Sequence, residues 1–170
     1  MTSHAPQGQT KPCPVNIAEH LVVDGFRYWN AGFDTGQIEC WELARKAYEN
    51  ALDPQLAKRA LGELSTWVRT SRKSAGRQFE TLPYGCLRLC RDECAARRLI
   101  AACQHNDEQA KRDAALDLVG EHGIQAAIRT AQDLADVLSE SAHILTTNTE
   151  IPQSCPFGPK LISRITGQIL

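Results

Sequence analysis

Cysteines at 86, 90 and 94 recur at every fourth position directly after Pro83-Tyr84-Gly85. On a helix turning 100° per residue they fall within an arc of about 80°. The spacing therefore predicts one sulfur-bearing stripe on a helix running from about 86 to 103. Three thiols on one face are raw material for a zinc site, an iron–sulfur site or a redox centre. Geometry constrains the first two. Cys86 and Cys94 would be separated by about 12 Å of helical rise, whereas sulfurs around one tetrahedral zinc sit about 3.8 Å apart. Two of the three can share an ion, with His105, Cys40 or Cys155 completing the set. Cys86 joins them only from the loop after Gly85. The first expectation is thus plain core cysteines and no cofactor; zinc or iron bound by Cys86, Cys90, Cys94 and His105 is the second. Redox sensing has a modest warrant in Arg88, Arg91, Arg97 and Arg98, which would lower the pKa of an exposed thiol nearby. Cys13 and Cys155, each followed by proline, are the more accessible thiols.

Glu93 and Arg97 interrupt the apolar arc of the same helix. They stand four apart in the acidic-then-basic order that favours pairing, so they are expected to pair with each other under a partner helix or in a cleft. Other chemistry is thin. Glu140-x-x-His143 has the spacing used in di-iron bundles, but such sites need two of these motifs and further glutamates. No strained elbow positions a serine nucleophile, and no glycine pattern makes a phosphate cradle. The sequence weighs against an enzyme, while leaving open a site built between helices.

The elements that must position these residues read as helices. A first helix is expected over 15–31, with Gly32 and Gly36 closing it. Asp34 with Gln37 resembles a capping box that opens a second helix to about Leu52. Asp53-Pro54 is the clearest start in the chain, since the aspartate caps free amides and the proline lacks only an N–H that would be unpaired there. That third helix carries Leu56, Ala60, Leu64, Trp67 and Val68 and fades into the basic stretch 71–77. Asn106 with Gln109 predicts a cap for a helix over 107–119, broken by Gly120 and Gly123, and a last helix covers 124–142. No alternating run argues for a sheet. The expected fold is all-α, a compact bundle of five to six helices with short loops. Its expected layout is a flexible arm over 1–14, one helical domain over 15–145 and an irregular tail over 146–170. Ile162, Ile165 and Ile169 could dock that tail as a short helix.

A chain of 170 residues can build a core without disulfides. Seven cysteines, an odd number, without a leader-like apolar segment point to reduced thiols and a cytoplasmic setting. No apolar run is long enough for a membrane span. The formal net charge is -1, yet it is uneven. Residues 69–98 hold eight basic against three acidic side chains, and 106–140 hold eight acidic against three basic. The two stretches can neutralise each other within one bundle or in a head-to-tail dimer. Alternatively Arg69, Arg72, Lys73 and Arg77 contact nucleic acid or an acidic partner. Trp29, Trp41 and Trp67 belong to an aromatic set that is core at one end, or a protein-binding surface if exposed. The leading reading is a small helical protein working through protein contacts or self-association, as a regulator or accessory subunit. A metal or thiol sensor on the 86–94 segment is the alternative, and nucleic-acid binding through 69–98 the third.

Overall fold

A computed structural model describes residues 16–84 and 86–147. It contains six α-helices, α1 (Ile17–Thr35), α2 (Ile38–Ala51), α3 (Pro54–Ala75), α4 (Arg91–Gln104), α5 (Glu108–Val119) and α6 (Ile124–Glu140), with a 3-10 turn over Glu121–Gly123. The all-α bundle is as expected. The arm 1–14, the segment from 148 onward with Ile162, Ile165 and Ile169, and Cys13 and Cys155 lie outside the described residues.

Local chemistry sets the helix ends. Asn16 opens α1 by accepting from the Ala18 amide at 3.1 Å, and Gly36 closes it in the left-handed conformation. Gly32 does not end the helix. It sits inside it because the Trp41 indole lies where a side chain would be, 2.4 Å from the place a Cβ would take. Asp34 is no cap either: it remains within α1 and accepts from Arg72 at 2.6 Å, leaving Gln37 as the cap residue of α2. Asp53 caps α3 as expected, accepting from the Gln55 and Leu56 amides. That helix continues through the basic stretch to Ala75, where Gly76 stops it. For α5 the cap is Asp107 rather than Asn106. Asn106 instead takes a positive φ of 54° between α4 and α5.

The core is continuous. Phe26 of α1, Trp67 and Leu64 of α3, Leu99 and Ile100 of α4, Leu118 of α5 and Leu134 and Leu138 of α6 are buried together. Phe26 stands between Trp67 and Phe79, with ring centroids 5.7 and 5.4 Å away. Tyr48 of α2 is fully buried and donates its hydroxyl to the Leu21 carbonyl at 2.8 Å, which ties α2 to α1. No described helix is long and apolar enough to cross a membrane.

One connection stands apart. Among the described residues between Gly76 and Cys90, which link α3 to α4, none lies in a helix or strand. A link of more than about 12 residues without helix or strand is uncommon in a compact domain, being in general either functional or a linker. We refer to it as the strap.

Candidate functional site

The strap is held by the first turn of α4. Asp92 and Glu93 are both buried there, and each gathers several donors. Glu93 Oε1 accepts from Arg27 Nε at 2.7 Å and from the Leu82 amide at 2.7 Å. Its Oε2 accepts from Arg27 Nη2 at 3.1 Å and from the Cys90 amide at 3.0 Å. Arg27 is only 4% exposed and also donates backward to the strap, to the Cys86 carbonyl at 2.9 Å and the Arg88 carbonyl at 2.7 Å. Burial opposes its charge, but the hydrogen bond and attraction of Glu93 outweigh that, holding the guanidinium above its ordinary pKa. Asp92 receives both Nη atoms of Arg77, at 2.7 and 2.8 Å, and the Glu80 amide at 2.8 Å. Arg77 also covers the Phe79 ring, 5.2 Å from its centroid, and Phe79 is buried against the core. Two forked, charge-assisted pairs thus clamp the strap at 77–82 and again at 86–93.

This arrangement replaces the expected sulfur stripe. The helix begins at Arg91, not near 86, because Cys90 is its cap residue and Glu93 reaches back to the Cys90 amide. Cys86 therefore lies on the strap, Cys90 at the helix entrance and Cys94 one turn inside. His105 caps the opposite end of α4, roughly 20 Å along the axis, and its Nε2 lies 2.8 Å from the Leu145 carbonyl oxygen. Among the described residues, no three histidine, cysteine or acidic side chains are grouped so as to hold a metal ion. The Cys90 thiol donates to the Glu80 carbonyl at 3.0 Å, and burial pushes its pKa well up. Burial likewise pushes the Cys103 thiol up to about 12. Neither is set up as a thiolate.

Glu93 and Arg97 do not pair. One turn apart on α4, they turn to different neighbours: Glu93 to Arg27, and Arg97 to Glu19 of α1 and to the Thr146 carbonyl and hydroxyl. The charged interruption of the apolar arc is thus two separate ties from α4 to α1. Of the expected interaction surface, Trp67 is fully buried and belongs to the core. Trp29 and Trp41 are half-buried at the α1–α2 corner, with ring centroids 6.3 Å apart. Arg72 donates to Asn30 and Asp34, and Arg77 to Asp92. Only Arg69 and Lys73 of the basic quartet stand exposed without a carboxylate among the described residues.

What reaches outward is the tip of the strap. Tyr84 is 68% exposed and Leu87 70% exposed, the two largest values among the large apolar side chains described. The Tyr84 ring leans on Tyr28 of α1, with centroids 5.8 Å apart. Sequence reasoning missed Arg27, Asp92, Tyr84 and Leu87 as site residues. Arg27 did leave a signal: it is the lone cation in the apolar run from Leu21 to Phe33.

Compared with family models, curated proteins and solved structures, the chain matches none.

Proposed function

We propose that this protein works through protein contacts made by the tip of the strap. The observation that supports the reading is the outward display of Tyr84 and Leu87 on a segment bound to α1 and α4 by two charge pairs, Arg27–Glu93 fully buried and Arg77–Asp92 with only its carboxylate buried. Burying ion pairs gains little stability over an apolar alternative. Here those pairs fix the connection between α3 and α4, which leaves two large apolar side chains in water. Covering them would gain roughly 2 kcal/mol each. Because the flanks are already ordered, little conformational entropy would oppose association.

The test is a Tyr84→Ala/Leu87→Ala variant of the full chain, compared with the parent in its native cells. A photo-crosslinking residue at position 87 is expected to capture a discrete protein, and one at position 112, on the outer side of α5, is not. The double variant is expected to lose the same protein from affinity purifications while keeping the parent melting temperature. Equal capture from both positions, or equal recovery by the double variant, would refute the reading.

A further inference from the structure

The charge around the strap tip indicates what docks there. Arg27 is committed to Glu93 and Arg77 to Asp92. Asp24 is taken by Arg27 and His20. Arg88 and Arg91 remain, both exposed, one beside Leu87 and the other the first residue of α4. Among the described residues neither side chain meets a carboxylate. From Thr81 to Arg91 the sequence has no acidic residue. Glu80 lies further back on the strap, where its amide and carbonyl are bonded to Asp92 and Cys90. Two exposed apolar side chains and two uncompensated cations therefore fall within the eight residues from Tyr84 to Arg91, in a chain whose formal net charge is -1.

Building on the contact surface proposed above, we infer that its partner is an acidic peptide segment with an apolar side chain flanked by aspartate or glutamate. The apolar side chain packs against Tyr84 and Leu87, and the carboxylates pair with Arg88 and Arg91. The cations steer the approach and select for acidic flanks, while the apolar pair supplies most of the affinity. Single-stranded nucleic acid is the competing occupant, since an exposed tyrosine with arginines can stack and neutralise it. The tip suits it less. Leu87 offers no stacking face, and Arg27 and Arg77 are already neutralised. Two cations are few for a backbone whose binding rests on many phosphate contacts.

The experiment is selection of a displayed library of random 12-residue peptides on the immobilised full chain. Fluorescence anisotropy of the enriched peptides and of a uridine 20-mer follows. Enriched peptides are expected to share a large apolar residue with neighbouring acids. Their affinity is expected to drop about tenfold or more with Arg88→Glu/Arg91→Glu, to weaken with added salt, and to be unchanged by Arg69→Glu/Lys73→Glu. Peptides that carry apolar anchors but no acids, bind independently of the charge reversal and are lost with Leu87→Ala would overturn the acidic partner and leave the contact surface standing. No enrichment, or peptides that bind equally to Tyr84→Ala/Leu87→Ala, would overturn both. Tighter binding of the uridine 20-mer than of any peptide, lost on the same charge reversal, would replace the peptide with nucleic acid.

Discussion

Glu93→Gln is the sharpest probe of the clamp. The substitution keeps shape and removes charge, yet neither orientation of the new amide suits the site. Oε1 serves Arg27 Nε and the Leu82 amide, and Oε2 serves Arg27 Nη2 and the Cys90 amide. Whichever oxygen becomes NH2 is set against two donors. Arg27 also loses its close counter-charge, with only Asp24 left at 3.4 Å. Leaving one member of a buried pair behind costs about 3–5 kcal/mol. For a chain of this length that corresponds to a fall in melting temperature of about 6–20 °C. The companion variant Arg27→Met/Glu93→Leu removes both charges and is expected to recover most of that loss, because well-packed apolar side chains replace a buried pair at little cost. It leaves the Leu82 and Cys90 amides and the Cys86 and Arg88 carbonyls without their partners, so the strap should lift while the core holds. Urea unfolding followed by tryptophan emission reads the core, and hydrogen exchange of a peptide spanning 77–90 reads the strap. A Glu93→Gln protein within about 1 kcal/mol of the parent, with unchanged exchange in the strap, would refute the clamp.

Three further outcomes are expected. Gly32→Ala displaces the Trp41 indole, which leaves no room for a Cβ, and should cost about 1–3 kcal/mol with a red shift in emission. Ala142 holds a positive φ of 61° just after α6, so Ala142→Gly should stabilise by about 0.5–1 kcal/mol in the same urea assay. Burial holds Tyr48, Cys90 and Cys103 neutral beyond their ordinary pKa values. Above about pH 9 the unfolded chain therefore releases protons that the folded chain keeps, and stability falls as pH rises, by about 1.4 kcal/mol per pH unit for each thiol. Urea midpoints measured from neutral to alkaline pH test the slope. Peptide mapping after native alkylation, with Cys40 and Cys86 labelled ahead of Cys90 and Cys103, tests the burial.

Apolar periodicity and caps made the helices legible. Asp53-Pro54 and the Gly120–Gly123 break both act locally, and local chemistry can be read from a single sequence. The site was less legible because its logic is long-range. The same four-residue spacing that aligned Cys86, Cys90 and Cys94 on paper is overridden by one arginine in α1, which takes the Cys86 and Arg88 carbonyls and keeps them out of the helix. Glu93 and Arg97 looked like partners because helix geometry favours that pair, but each found a better one on α1. At 100° per residue Asp92 lies on the side of the helix wheel that carries Arg88, Arg91 and Arg98, yet it is buried because the strap folds over it. Nothing within a few residues of these positions encodes such outcomes.

The clamp also bears on the order in which the chain assembles. Arg27 finds its acceptors 59, 61 and 66 residues further along. During synthesis α1, α2 and α3 are complete before any of those acceptors exists, so the Arg27 side of α1 must stay solvated until the start of α4 has been made. Contacts that close so large a loop add entropy cost before they return stability. A contact that closes only after the kinetic barrier would on loss shorten the lifetime of the native state and leave the rate of reaching it nearly unchanged, and the two chevron arms of the Glu93→Gln protein read whether the clamp is one.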